Sequence, residues 1–420
     1  MPTAHLSAAP ATAHERCRVC GAGGLVRYLD LGATPLANAY LRPDQLAEPE
    51  PAAELALQVC AACGLSQLTR VVDRERMFRD YLYVSSTSAT LREHFAGLAS
   101  AVVAESGART GDLTLDIASN DGLLLSCFKA LDMRVIGVDP ARNLAAEATA
   151  RGIPTIAEYW SVPIAEQIVA THGQPRTITA TNVVAHVDDL HEFVRGLDTA
   201  LAPRGIFAME VPYVLDLVEH AEFDTAYHEH LSYFGVRPLQ TLFAGHGFEV
   251  FDVVHFPNIH GGTIRVVVCR RGERAPRPAV AQAVLREGAF GIADPDVYRR
   301  FGERVRANMA ELDTLVRKIR ADGGEVWAYG ASAKGNTLMN FAKLTRDLVP
   351  VVVDDNPKKW GLYTPGAHMR IAGPAELREG PADHLLLLAW NFEPEIVKRS
   401  RAAGYRGKFI RPVPAVAVFA

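Results

Sequence analysis

No stretch of this 420-residue chain is apolar and uncharged for long enough to cross a bilayer, which argues against a membrane-spanning protein. Basic residues are not in excess. The 44 Lys and Arg are outnumbered by 48 Asp and Glu, for a formal net charge of -4. The chain therefore lacks both the positive footprint and the Arg/Lys-aromatic stripe of a nucleic-acid binder. Cysteine is scarce, and six in a chain this long do not make a disulfide framework. Repeats and low-complexity segments are absent. The start, from Met1 to Arg16, is rich in Ala and Pro and lacks the apolar core of a signal peptide. These absences predict a cytoplasmic protein with a frayed start. The rest is ordinary globular composition, 49% hydrophobic and 22% charged. The length calls for two or three domains.

Three stretches stand apart. Residues 1–75 hold short strand-like pieces, Leu25 to Leu31 and Leu55 to Val59. Residues 76–272 alternate strand and helix signals: strands at Leu113–Ile117, Arg134–Val138, Thr177–Thr181 and Gly205–Val211, with a helix near Asn143 to Arg151. Such alternation predicts a mainly parallel, doubly wound α/β sheet. The strands Glu249–Val254 and Gly262–Cys269 are separated only by a turn region, Phe256 to Gly261. No crossover helix fits there, so the two should pair antiparallel. An open sheet ending in such a hairpin is the usual outline of a methyltransferase core. Residues 273–420 follow the Pro- and Arg-rich joint Arg270 to Pro278. A charged helical arm from Ala279 to Ala321 precedes parallel strands at Glu325–Gly330, Val351–Asp355 and Leu385–Trp390, a smaller Rossmann-like α/β domain.

Four of the cysteines form two pairs, Cys17-x-x-Cys20 and Cys60-x-x-Cys63. Each pair puts two thiolates on one tight turn, and two such turns supply the four soft ligands of tetrahedral zinc. Gly21 and Gly64 follow directly and let the backbone turn beneath the metal. The long gap between the pairs requires the intervening strands to return to the same point. A closed four-sulfur site leaves no position for water, so the predicted Zn2+ is structural.

Asp116 ends a strand, and Ala118, Ser119, Asn120, Asp121 and Gly122 form a small-residue turn before a helix. Small residues let a backbone approach the methionine part of S-adenosylmethionine closely. Asp139, followed by Pro140, ends the next strand about 20 residues on, where doubly wound folds hold ribose hydroxyls. Asn182 ends a further strand beside the same crevice, with His186 one turn later. This pattern specifies a nucleoside, and NAD would satisfy it equally. A helix cap before Pro140 is the alternative for Asp139.

The segment Asp224 to Phe234 contains Tyr227, His228, Glu229, His230 and Tyr233. If helical, Tyr227 and His230 share a face; if extended, Tyr227 and Glu229 do. Methylating carbon requires removal of a proton beside a carbonyl. A histidine suits the base. A tyrosine hydroxyl or a second imidazole suits the enolate oxygen, and a carboxylate can orient the base or hold a substrate group. Metal ligation by His228 and His230 with Glu229, and a purely structural cluster, remain open.

Together these motifs resemble the sugar C-methyltransferases of deoxysugar biosynthesis, which act on thymidine-diphosphate-linked 4-keto sugars that become branched sugars of antibiotics. The resemblance takes in Tyr81-Leu-Tyr83-Val-Ser85-Ser86 and Val326 to Gly335 and spans nearly the whole chain. It implies C3′ methylation, with His230 as base, Tyr227 and Glu229 at the sugar, and Tyr81 and His186 lining the same cavity. S-adenosylmethionine would lie along Asp116 to Gly122, Asp139, Pro140 and Asn182. Tyr83, Ser85 and Ser86, with Gly330, Ser332, Lys334 and Gly335, would meet the sugar nucleotide, the last four as a diphosphate cradle at a helix start. An exposed lysine is the alternative for Lys334. The family more often has glycine where Ala118 stands.

The expected partner is thus a TDP-linked keto-sugar, with no nucleic acid and no membrane, acted on by a monomer. A rival reading is an NAD-dependent nucleotide-sugar oxidoreductase or epimerase. Tyr227 lacks the Tyr-x-x-x-Lys pairing that chemistry uses, which counts against it.

Overall fold

The computed structural model describes residues 6–79, 86, 89–259 and 261–420. Tyr81, Tyr83 and Ser85 lie outside the described residues. Among those described, no helix is long and apolar enough to cross a membrane.

The cysteine-bearing part is built on a long ladder. Strand Val26–Pro35 runs antiparallel to Glu50–Val59, from Val26 opposite Val59 to Pro35 opposite Ala52. The ladder returns the chain from the first cysteine pair to the second. Glu50–Val59 is apolar at most positions and buried at eight of its ten, so it lies inside the sheet. The expected frayed start is corrected from Leu6 onward. Leu6–Ala8 pairs parallel with Glu50–Ala52, and Ala11–Ala13 pairs antiparallel with Arg70–Val72. The run looked loop-like because Ala and Pro carry little strand signal, yet hydrogen bonding to a neighbouring edge needs no large side chain.

This first sheet has an unexpected member. Ser232–Tyr233, over 160 residues away in sequence, pairs antiparallel with Ser66–Gln67. A two-residue strand has too short a pattern to be read in advance.

The second sheet has seven strands. Across it the order is Phe248–Phe256, Thr263–Arg270, Ile206–Pro212, Thr177–Thr181, Leu113–Ile117, Arg134–Val138 and Thr155–Ile156. The last five are parallel, and the predicted terminal hairpin is antiparallel. The order reverses between Leu113–Ile117 and Thr177–Thr181, so the crevice for a ligand opens beyond the carboxyl ends of those strands. The expected helix is Arg142–Ala150.

The charged arm is two helices, Pro278–Phe290 and Pro295–Ala321, each with proline in its first turn. Gly291 takes φ +84° and stops the first. The second buries Tyr298, Phe301, Val305, Met309, Leu312 and Val316, a stripe at three- and four-residue spacing. Each fully buried side chain of this size contributes about 1.5–3 kcal/mol. Gly302 sits on that stripe where a Cβ would lie 2.5 Å from the Tyr28 carbonyl oxygen, so only glycine lets the helix approach the first sheet.

The third sheet runs Arg370–Ala372, Val351–Val353, Val326–Tyr329, His384–Leu387, Lys408–Arg411 and Ala417–Phe419, with only the last strand antiparallel. Its first five strands repeat the order of the middle sheet's parallel part. Helix Ala333–Phe341 leaves Val326–Tyr329 through Gly330 and packs on the short helical turn Phe223–Thr225. That contact brings the third sheet's switch point to the reactive segment of the second.

Candidate active site

The four cysteine sulfurs lie within 4.8 Å of one another. Cys17 Sγ is 3.5 Å from Cys63 Sγ, and Cys20 Sγ is 3.6 Å from Cys60 Sγ. A tetrahedron with zinc–sulfur bonds of about 2.3 Å has edges of about 3.8 Å, so the cluster fits zinc. A disulfide would need about 2.05 Å, and none forms. The Gly21 and Gly64 amides donate back to the Cys17 and Cys60 carbonyls at 2.9 and 2.8 Å, closing both knuckles.

The cofactor turn is held open by unusual backbone. Ala118, Asn120 and Gly122 all have positive φ, at 57°, 52° and 79°. Asn120 N–H donates to Asp139 Oδ2 at 2.7 Å, and Ala141 N–H to Asp139 Oδ1 at 2.8 Å. Asp139 therefore ties the turn to the next strand and to the segment entering the following helix, whose N-cap is Ala141 and not Asp139. Pro140 stands between those two bonds, half-buried. Asp116 is buried beneath the turn, accepts Thr179 Oγ1 at 2.6 Å, and is pushed up to about 7 by burial. Gly137 faces Ser119, whose Oγ a Cβ would overlap. Ser119 Oγ and Asp121 Oδ1 are buried with no hydrogen-bond partner among the described residues. Unspent buried polar atoms beside an open turn suit a zwitterionic nucleoside ligand. Asn182, also at positive φ, donates its N–H to the Glu210 carbonyl at 2.8 Å.

Within the reactive segment, Tyr227 to His230 is neither helix nor strand. It is a turn, with His230 N–H donating to the Tyr227 carbonyl at 2.9 Å. The turn brings Tyr227 and His230 together: Tyr227 Oη is 2.7 Å from His230 Nε2. His230 Nδ1 lies 2.8 Å from the Thr225 carbonyl oxygen. A carbonyl only accepts, so Nδ1 carries the hydrogen and Nε2 holds the lone pair, toward which the tyrosine hydroxyl points. Burial pushes His230 well below its ordinary value, and His186 and Lys334 oppose its protonation further. The His186 ring is 4.8 Å from that of His230, and burial brings His186 down to about 4.

His228 points elsewhere. His228 Nε2 is 3.1 Å from the Ala53 carbonyl, which anchors the turn to the first sheet. The two histidines therefore do not converge on a metal, and the four cysteines form the metal-competent group found among the described residues. Glu229 is buried and accepts Asn38 Nδ2 at 2.6 Å.

Lys334 is not an exposed cap. Its ammonium is 5.4 Å from the centre of the Trp390 ring, and its charge acts on Glu222, Asp224 and His230. Trp390 Nε1 donates to Asp224 Oδ2 at 2.7 Å. Ser332 caps the helix by accepting the Gly335 N–H at 3.1 Å. At Gly330 φ is +97°, and a Cβ would press on Ala389 at 2.7 Å. At Gly335 a Cβ would press on Leu388. Of the other expected substrate residues, Ser86 accepts Arg92 Nη2 through its carbonyl at 2.5 Å.

Several residues near the crevice gave no sequence signal. Asn38 and Tyr40 lie on one segment of the first sheet's part, and Tyr40 Oη donates to the Ala331 carbonyl at 2.6 Å. Glu210, opposite Thr181 in the sheet, accepts His94 Nε2 at 2.8 Å and Arg265 Nε at 2.9 Å. Burial raises that carboxyl, but His94 and Arg265 hold it below its ordinary value.

The chain matches three families: a zinc binding domain over residues 17–78, a methyltransferase domain over 91–253, and a C-methyltransferase C-terminal domain over 258–414. It is 38% identical over 405 residues to C-methyltransferase NovU of Streptomyces niveus, covering 95% of this chain and 96% of that one. Among solved structures it is similar to magnesium protoporphyrin IX methyltransferase of Synechocystis PCC 6803, with 13% identity and a TM-score of 0.34 over 47% of this chain and 90% of that one. A further similarity is to the PH0226 protein of Pyrococcus horikoshii OT3, with 15% identity and a TM-score of 0.36 over 47% of this chain and 97% of that one. At those scores the structural likeness assigns no function.

Proposed function

This chain belongs to the C-methyltransferase family, and from that premise we propose that it methylates C3′ of a TDP-linked 4-keto-deoxysugar for a branched sugar of a natural product. It is an S-adenosylmethionine-dependent enzyme with a cysteine-ligated zinc module, and the oxidoreductase alternative is set aside. We divide it into residues 1–75, 76–272 and 273–420, working as a cytoplasmic monomer without nucleic-acid or membrane partners.

The observation that carries the reading is the orientation of His230. Its Nδ1 hydrogen is committed to Thr225, and its Nε2 lone pair is kept free of a proton by burial. A neutral imidazole with one fixed acceptor is a base. In this reading Nε2 removes the C3′ proton as the substrate displaces the Tyr227 hydroxyl. The electron pair of that C–H bond moves to the C4′ oxygen, and Tyr227 Oη donates to it. Glu229, oriented by Asn38, holds the substituent at C3′. Lys334 and the Gly330–Gly335 turn receive the diphosphate, and His186 and Tyr81 line the cavity. S-adenosylmethionine, held by Asp116 to Gly122, Asp139, Pro140 and Asn182, would supply the electrophilic methyl group. Ser119 and Asp121 offer the unspent polar atoms for its amino acid end.

The test is proton exchange. In D2O, with S-adenosylhomocysteine in place of the methyl donor, the enzyme should exchange the C3′ hydrogen of a TDP-4-keto-2,6-dideoxy sugar. A His230→Gln protein that binds S-adenosylhomocysteine normally should not. Undiminished exchange by that variant removes His230 as the base.

A further inference from the structure

The Cys17–Cys20 knuckle carries a side chain that metal ligation does not use. Arg18, between the two cysteines, is buried, while its partner Asp188 is half exposed. Arg18 Nη1 reaches the Asp188 carboxylate and also donates to the Asp188 carbonyl at 3.0 Å. His14 Nε2 approaches the same carboxylate at 3.2 Å. His14 and Arg18 together hold Asp188 down to about 2. A buried guanidinium needs its partner, since losing it leaves an uncompensated charge.

The backbone of the same knuckle is locked to the second cysteine pair. Arg18 N–H donates to Gln67 Oε1 at 3.0 Å, and Gln67 Nε2 donates to the Arg16 carbonyl at 3.1 Å. Gln67 belongs to strand Ser66–Leu68, which follows directly on Cys63. Beside that strand, Leu68 N–H donates to the Leu231 carbonyl at 3.0 Å, and Leu231 N–H donates to the Ala185 carbonyl at 2.7 Å. Leu231 adjoins His230, and Ala185 adjoins His186. The two imidazole loops are thus tied to the two cysteine knuckles: that of His230 through backbone, that of His186 through Asp188, two residues on.

We propose that Arg18 is a positioning residue, whose ion pair with Asp188 sets the seat of His186 against His230 and so keeps the base aimed. It touches neither substrate nor metal. The inference rests on the reading of His230 as base. Among the described residues, the groups that face His230 are His186, Tyr227, Tyr233 and Lys334. His186 is the one among them whose loop the knuckle holds by a side chain.

Arg18→Met and Arg18→Lys in the full-length, zinc-loaded protein test this. Arg18→Met should keep its zinc and its S-adenosylhomocysteine affinity within about twofold. It should lower kcat for methyl transfer by about tenfold or more with little change in the KM for S-adenosylmethionine, and Arg18→Lys should recover part of the loss. In 15N-histidine-labelled protein, the ring resonances of His186 and His230 should move in Arg18→Met while those of His228, bonded to Ala53, stay. This arm needs no sugar substrate, so it decides the positioning role even if the proposed reaction fails. Should Arg18→Met not fold, Asp188→Asn must give the same shifts. Unmoved His186 and His230 resonances overturn the proposal, as does parallel loss of zinc, S-adenosylhomocysteine binding and activity in both Arg18→Met and Asp188→Asn.

Discussion

The imidazole rings of His186 and His230 lie 4.8 Å apart, His230 buried and His186 half-buried, so a proton on either is opposed by burial and one on His230 by the His186 ring as well. Burial leaves His186 at about 4, whereas an unfolded histidine titrates near 6.5. Between those values the unfolded chain binds more protons, so stability falls as pH falls through that window. For His186 alone the loss is roughly 3 kcal/mol. Asp116 and Glu222, raised by burial to about 7 and about 8, push the opposite way over an overlapping range. The useful quantity is therefore a difference. Between about pH 7.5 and about pH 4.5, His186→Phe should lose roughly 2–3 kcal/mol less stability in urea than the parent chain. Equal losses would contradict the burial of a neutral His186.

Tyr227→Phe removes the hydroxyl that points at His230 Nε2 and leaves the ring, which packs on the imidazole with centroids 4.0 Å apart. The fold should survive. Methyl transfer should drop by about 10²–10⁴-fold, as for loss of a donor to a developing oxyanion. Calorimetry should find S-adenosylhomocysteine binding unchanged. Wild-type turnover in this variant would take Tyr227 out of the chemistry.

The cofactor turn has a weak point in the next strand. A methyl group at Gly137 would overlap Ser119 Oγ and lie 3.0 Å from both Ser119 Cβ and Thr155 Oγ1. Gly137→Ala should therefore weaken S-adenosylhomocysteine by more than about tenfold, a cost of about 1.4 kcal/mol or more. Its zinc content should stay normal. Unaltered affinity would mean that the turn tolerates displacement.

Cys60→Ser should lose the single zinc ion expected per chain, measured by elemental analysis of the purified protein. Strand Ser66–Leu68 starts three residues after Cys63 and carries Ser232–Tyr233. The melting temperature should therefore fall by several degrees or more. A zinc-free variant as stable as the parent would show that the ladder holds without the metal.

What the sequence revealed and what it hid follow one physical division. Features encoded within a few residues were legible: the two CxxC knuckles, the strand-to-turn step at Asp116, and the hairpin implied by the short Phe256–Gly261 turn. The sequence leaves the pairing within Tyr227 to His230 between two geometries because it depends on a turn, whose shape is set by the Thr225 and Tyr227 carbonyls and by the anchor at Ala53. Contacts between distant segments were invisible. Asn38 reads as an ordinary loop polar residue until Glu229 is found against it, and Arg18 as a solvated charge until Asp188 closes over it. In sequence the cysteine module lies far from the histidines. The fold instead runs its last strand through the reactive segment.

The most direct test of carbon methylation is the fate of an isotopic methyl group. With S-adenosylmethionine carrying a 13C methyl and a TDP-4-keto-2,6-dideoxy sugar, the product should show one labelled methyl bonded to C3′, with three-bond coupling from its protons to the C2′ and C4′ carbons and the C3′ hydrogen gone. A labelled methyl on oxygen or nitrogen, or a C3′ hydrogen retained in the product, would contradict the account.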